Sequence, residues 1–503
     1  MGGISSRTMD SVCDPDFIFL LHYSRRSSSH LLNGVSDESD VEPDDDLQRQ
    51  QASVSNANRL DKKEISFAIK QACEITDSSR KQNTSIVSMI QKRTIGSAFN
   101  TIEKCCINNN LLPNRFDLIS NHKSKIFCGT YSNDGKFFLT ASQDKVLHLY
   151  HTHNGEFNIL KTIPARDVGW SVLDTAFSPD GENIVYSSWS ECLYQCSVSK
   201  EISTQEMLSL NPGVRRFCVF SLVFSNDGRE ILGGANSGYL YFYDRGSNQR
   251  ISRFEGHGDD VNSVAFADGS SQIFYSAGDD GLCKVWDRRT VNAANPIAVG
   301  TLAGHRDGIT YIDSRGDGRY LITNSKDQTI KLWDIRALSN KIGMMNTRKA
   351  IRDLDWDYRW QHVPKRLRRA KEPMDGDTSV MTFRGHCVRE TLIRCHFSPA
   401  ATTGQRYIYT GCSMGRVYIY DILTGKIVRN LFAHEMCVRD VSWHPFYPYI
   451  VSTSWDCKMV RWRYMCDEMN ALNDRRPEKE IKVKPQPPPR RSERIAAQRT
   501  RQP

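Results

Sequence analysis

Residues 302–336 read LAGHRDGITYIDSRGDGRYLITNSKDQTIKLWDIR, and their spacing decides the fold. His305 stands 28 residues before Trp333, and Asp327 stands six before it. Between these marks, β-branched and alternating runs are cut by the turn signal Gly316-Asp317-Gly318. The stretch therefore predicts a unit of four short strands, too small to bury its own apolar faces.

Working outward, the same shape recurs along the chain. Aligned on the residue that Trp333 occupies, the units place Tyr150, Cys196, Tyr243, Trp286, Trp333, Tyr420 and Trp462 in one slot, at gaps of 46, 47, 43, 47, 87 and 42 residues. The one long gap is a normal repeat plus an insert, 339–383. His122, His257 and His434 precede their slots by 28 or 29 residues, and His386 by 34, where TTGQR supplies a loop insertion. Asp144, Asp280 and Asp456 each lie six before theirs. Further turn signals stand at Asn133-Asp134-Gly135, Pro179-Asp180-Gly181 and Asn226-Asp227-Gly228. Units two and three lack the His and carry Ser190 and Ser237 in place of the Asp, which puts their internal bonding in question.

The His, Asp and Trp marks resemble the WD40 family over residues 115 to 464. Seven units imply an all-β, seven-bladed propeller, an architecture that hides strand edges by closing into a ring. An apolar residue three before each His (Ile119, Phe254, Leu302, Phe383, Leu431) marks an outer strand. By that rule, residues near Arg115 to Ser120 complete the last blade and close the ring. The resemblance also implies that His257, Asp280 and Trp286, His305, Asp327 and Trp333, and His434, Asp456 and Trp462 form buried structural networks with a strand Ser or Thr. Such polar groups are tolerated inside only when every member is paired.

Composition fits a globular body. Of 503 residues, 39% are apolar and 25% charged, and no apolar run approaches the roughly 18–20 residues of a membrane helix. The longest, Phe17 to Leu21, lacks the features of a secretory signal. Fifteen cysteines, an odd number with no C-x-x-C pair, fit neither a zinc site nor a stapled secreted domain and predict a reducing compartment, nucleus or cytoplasm. The net charge of +9 is concentrated in the tail 474–503 and the insert, so a body-wide nucleic-acid footprint is not expected.

The remaining segments read as appendages. Residues 1–58 are predicted to be disordered and carry the acidic run Asp37 to Asp46; the start, Met1-Gly2-Gly3-Ile4-Ser5-Ser6, fits a lipidation pattern on Gly2. Residues 59–114 predict a helical extension, with Ile65, Ile69, Ala72 and Ile75 on one side and a second stretch from Thr84 to Phe99. The insert predicts a folded ledge anchored by Trp356 and Trp360, and holds the basic run Lys365 to Lys371, a candidate nuclear-import or nucleic-acid segment. Residues 465–503 predict a disordered, basic, Pro-rich tail.

No nucleophile with a neighbouring base, no phosphate loop and no metal spacing occurs, so neither catalysis, a metal nor a cofactor is expected. What distinguishes this ring from a generic binding platform follows two of the Trp-Asp pairs. Trp286-Asp287-Arg288-Arg289 and Trp333-Asp334-Ile335-Arg336 place an Arg two residues after the Asp in adjacent units. Both arginines should project from the face opposite the His turns. The guanidinium keeps its charge and offers paired hydrogen bonds.

This pairing resembles the WD-repeat substrate receptors of cullin-4 RING ubiquitin ligases, in which such boxes engage the ligase's adaptor, damage-specific DNA-binding protein 1. Five more stretches look like those of one branch of that receptor family: ARDVGWSVL (165–173), LGGAN (232–236), DDVN (259–262), WDYRWQ (356–361) and VRDVSWHPF (438–446). The resemblance implies that Asp287, Arg289, Asp334 and Arg336 bind the adaptor with its cullin-4 and RING subunit. It further implies that a client protein, an oxidative-stress bZIP transcription factor, binds elsewhere on the propeller. A scaffold for RNA processing or chromatin is the alternative use of the same ring.

Overall fold

A computed structural model describes residue 60, residues 63–75, 91 and 93–96, and, with gaps at 154, 200–203, 214–215 and 371, residues 99–466. The acidic run, the Gly2 motif, most of Thr84 to Phe99 and nearly all of the basic tail lie outside the described residues.

Among the described residues, twenty-eight strands form seven four-stranded antiparallel sheets arranged as blades. Blade 5 shows how the pattern becomes structure. Its strands Ile309–Ser314, Tyr320–Ser325, Thr329–Asp334 and Met381–Arg384 pair in order, and every residue of the middle two is buried. Thr329–Asp334 pairs with Met381–Arg384, so residues 381–383 at the end of the insert belong to the fourth strand and the rest of the insert joins the third strand of that blade to it. Cys196, the odd member of the aligned slot, is buried in the third strand of blade 2.

The expected closure is present. Arg115–Asn121 pairs antiparallel with Lys458–Arg463, from Arg115 opposite Arg463 to Asn121 opposite Lys458, with one irregularity beside Leu118. Innermost strands are also stitched to each other. Leu222 N–H donates to Asp174 Oδ2 at 2.8 Å, Ile312 N–H to Ser263 Oγ at 2.9 Å, Phe397 N–H to Asp313 Oδ2 at 2.7 Å, and Gly129 N–H to Asp440 Oδ2 at 3.0 Å. Each is a backbone donor at a blade junction that the sheet itself leaves without a partner.

Three blades carry the full polar network. In blade 5, His305 Nδ1 lies 2.9 Å from Asp327 Oδ2 and Nε2 lies 2.7 Å from Thr323 Oγ1, which also accepts from Trp333 Nε1 at 2.7 Å. Blade 4 repeats this with His257, Asp280, Ser276 and Trp286, and blade 7 with His434, Asp456, Ser452 and Trp462. Burial alone would push the Asp456 carboxyl up; the bond and charge of His434 and two backbone N–H groups instead hold it down at about 2.

Blades without the full set improvise. His386 meets Tyr420 Oη at 3.1 Å and reaches Asn324 of blade 5 at 2.9 Å. His122 touches Tyr150 Oη at 3.2 Å and Ser142 Oγ at 3.3 Å. In blade 2, Ser190 donates to Asp167; in blade 3, Ser237 N–H donates to Asp260 at 2.8 Å.

The helical extension packs on the ring. Helix α1, Glu64–Ala72, buries Ile65 and Ile69, and ends before Ile75. Helix α2, Thr101–Asn110, is capped reciprocally by Asn100 and Glu103 and anchored by the buried Cys105. In the insert, helices α3, Lys341–Arg352, and α4, Lys365–Arg369, form the ledge. Trp356 anchors it, donating Nε1–H to Asp307 at 2.8 Å. The second expected anchor is a correction: Trp360 is 58% exposed. Its chain turns back within four residues, Gln361 N–H bonding Asp357 O at 2.9 Å, and the ring faces outward.

Candidate functional site: the lower face

We call the side bearing the His turns the upper face, and the side bearing the loops after each third strand the lower face. On the lower face, the Asp that closes the third strand folds its carboxylate back over the following turn. Asp287 Oδ1 accepts from Arg289 N–H at 3.0 Å, Asp334 Oδ1 from Arg336 N–H at 3.1 Å, and Asp421 Oδ1 from Leu423 N–H at 3.0 Å. This local ring fixes the direction in which the next side chain leaves the blade.

A second layer was hidden in the sequence. In three blades the same carboxylate is gripped by an Arg 15 residues upstream, on the turn between the first two strands: Arg229 on Asp244, Arg319 on Asp334, Arg406 on Asp421. Blade 4 has Gln272 at that position. Asp287 is therefore held by Arg289 itself, through Nε at 3.0 Å and Nη2 at 2.7 Å. These bonds lower the Asp287 carboxyl below its ordinary range and raise the Arg289 guanidinium.

Arg336 stands differently. Arg319 already occupies Asp334, with Nη2 at 3.0 Å, so Arg336 makes only a looser approach to that carboxylate, Nε to Oδ1 at 3.4 Å. Its Nη2 turns to Glu64 of α1 at 3.3 Å, and the same Glu64 also pairs with Arg319. Both candidate arginines remain open to solvent, with side chains 68% exposed at Arg289 and 58% at Arg336. The two carboxylates sit beneath them, Asp334 at 3% and Asp287 at 17%. The pair thus presents two guanidinium groups from neighbouring blades on one face. Sequence reasoning missed Glu64 and Arg319; the fixed 15-residue spacing was the available signal for the latter.

The upper face is partly filled. Lys326 lies 2.7 Å from Asp279 and 4.2 Å from the Tyr358 ring, so the ledge is riveted over blades 4 and 5. Burial raises the Asp307 carboxyl to about 6 against the opposing charge of Lys326. Toward the central axis, Arg394 bridges Asp174 at 2.6 Å and Asp440 at 3.0 Å, joining blades 2, 6 and 7. Arg439 and Asp440 are 3% and 2% exposed and belong to this internal network. Among the described residues, no group of His, Cys, Asp and Glu could hold a metal ion, and no helix is long and apolar enough to cross a membrane.

Comparison with known proteins agrees with this architecture. A profile of the WD domain, G-beta repeat, matches residues 115–151, 248–287, 297–334 and 425–463. A LEC14B homolog from Prunus armeniaca is 43% identical over 355 residues, covering 69% of this chain and 73% of that protein. A LEC14B protein from Lithospermum erythrorhizon is 42% identical over 373 residues, 72% of this chain and 77% of its own. A DDB1- and CUL4-associated factor 11 homolog from Caenorhabditis elegans is 41% identical over 368 residues, 71% and 64%. A guanine nucleotide-binding protein subunit beta from Saccharomyces cerevisiae is 24% identical over 359 residues. With seven closed blades and relatives of this similarity across the ring, the chain belongs to the family of DDB1- and CUL4-associated factor 11 homologs and LEC14B proteins, WD-repeat β-propellers.

Proposed function

We propose that the chain is the substrate-recognition subunit of a cullin-4 RING ubiquitin ligase, non-catalytic itself. In this reading it bridges the damage-specific DNA-binding protein 1 adaptor and a client, leading to the client's ubiquitination and proteasomal degradation. The observation that carries it is the lower-face pair, Arg289 and Arg336, exposed in adjacent blades above Asp287 and Asp334. The names of the relatives from Caenorhabditis support the same partner. The client class, an oxidative-stress bZIP transcription factor, rests on the family resemblance. The client occupies the upper face, leaving the lower face to the ligase. Tethering then raises the effective concentration of client lysines near the charged ubiquitin carrier, and no bond chemistry falls to this chain. The nucleus and cytoplasm suit it, since no two of the fourteen described cysteines are joined in a disulfide and most are buried.

The test is co-purification. Wild type should retain the adaptor and cullin-4, and the Arg289→Ala/Arg336→Ala double variant should lose about 90% of both while its thermal unfolding stays unchanged. Undiminished capture by the folded variant rejects the site.

A further inference from the structure

The ledge carries a surface that the ligase reading does not use. Helix α3 buries Gly343 and Thr347 against the ring side and exposes Lys341, Ile342, Met345, Arg348, Lys349 and Arg352. At 100° per residue these six fall on one face, and that face holds four cations, two apolar side chains and no acid. Ile342 is 50% and Met345 63% exposed. Helix α4 continues the surface. Arg366 Nη1 reaches Asp353 O at 3.5 Å, while Lys365 and Arg369 are exposed. None of Lys341, Arg348, Lys349, Arg352, Lys365 and Arg369 has an ion-pair partner among the described residues. Asp353, Asp355, Glu372 and Asp375 are the exposed acids at the margin, the last with its carbonyl bonded by Asn346 of α3 at 3.0 Å.

The basic run on α4 is also not an extended peptide. Leu367 is buried and Lys365–Arg369 is helical, so its cations form part of a fixed surface. A preformed array of like charges with apolar side chains between them is matched by a segment of opposite charge carrying apolar residues of its own. This chain contains one. Asp37 to Asp46 holds seven acids in ten residues, with Val41 and Pro43 between them.

Reach permits the match. Thirteen residues, or fourteen Cα steps, separate Asp46 from Leu60, which is buried in the same apolar cluster as Val363 and Leu367 of the ledge. Such a tether spans at most about 46–50 Å and averages roughly 20 Å if flexible. Glu64 stands at the lower end of blade 5, whose six-residue third strand rises only about 20 Å toward the upper face. We infer that the acidic run Asp37–Asp46 docks on the basic face of α3 and α4, as an intramolecular partner of the ledge. Tethering makes this contact concentration-independent, and its exposed ion pairs make it sensitive to salt.

Zero-length carbodiimide cross-linking of the full chain, read by mass spectrometry, tests this. Carboxylates of residues 37–46 are expected to couple to Lys341, Lys349 or Lys365. That coupling should fall at least five-fold at 0.5 M salt and in the variant Arg348→Glu/Lys349→Glu/Arg352→Glu. Asp44→Asn/Asp45→Asn/Asp46→Asn should weaken it while leaving the ring untouched. Coupling chiefly to Lys479, Lys482 or Lys484 of the basic tail overturns the inference. So does salt-sensitive binding of RNA, or of phosphatidylserine vesicles, at the ledge with an affinity indifferent to neutralisation of the acidic run. Adaptor capture is independent of all these outcomes.

Discussion

Blades 4 and 5 end their third strands alike, in Trp-Asp-x-Arg, yet hold the two arginines differently. In blade 5 the carboxylate of Asp334 is taken by Arg319, and Arg336 is left to reach for Glu64. In blade 4, Gln272 cannot play that part, and Arg289 closes on its own Asp287. The motif fixes where a guanidinium emerges, while a residue 15 positions upstream decides whether its fork is engaged at home. The insert makes the same point. Trp356-Asp357-Tyr358-Arg359 builds an equivalent ring, Arg359 Nε to Asp357 Oδ1 at 2.8 Å, without a strand leading into it.

The sharpest way to break this comparison is to remove each carboxylate. Asp334→Ala takes the buried carboxylate from Arg319, whose side chain is only 16% exposed, and leaves it the exposed Glu64 alone. It should cost about 3 kcal/mol and lower the melting temperature by roughly 5 °C in calorimetry. Asp287→Ala, at the open fork of blade 4, should leave the melting temperature almost unmoved. Equal losses would show that the two carboxylates do the same job.

A smaller effect is expected from supplying blade 4 with what it lacks. Gln272→Arg should take over Asp287 and free Arg289, strengthening adaptor capture by about 2–5-fold, since an exposed ion pair contributes up to about 1 kcal/mol. Weaker capture would mean that the Asp287–Arg289 fork itself is the recognised shape. The smallest change belongs to Glu64→Gln. Its carboxylate is 69% exposed, so the melting temperature should stay within about 1 °C, while capture through Arg336 should rise slightly at low salt. A large loss of capture would make Glu64 part of the contact.

Much of the ring was legible because its determinants are periodic. The His, Asp and Trp of blades 4, 5 and 7 stand at fixed offsets, since one hydrogen-bonded network must join the same loop, turn and two middle strands each time. The closing strand was legible through Ile119, three before His122. Blades 2 and 3 were harder, because the buried Ser190 bonds Asp167 through its hydroxyl, whereas the exposed Ser237 bonds Asp260 through its backbone N–H. Helix α2 was not isolated in advance, although Asn100 and Glu103 spell a capping box, because it docks mainly through Cys105 rather than an apolar stripe. Trp360 was misjudged for a physical reason: an aromatic in sequence announces contact area, but only tertiary packing decides which side of a turn it covers. At the lower face the arginines were visible and their restraint was not, since Arg319 and Glu64 meet Arg336 only in three dimensions.

The pairing of Arg115–Asn121 with Lys458–Arg463 has one last consequence, for biosynthesis. A ribosome adding about 5–20 residues per second needs roughly 20–70 s to pass from the first of these segments to the second. Throughout that interval the early strand has no mate, and the nascent chain carries an open edge. The wheel can lock only after its last spoke has left the exit tunnel, so truncated translation products cannot mature.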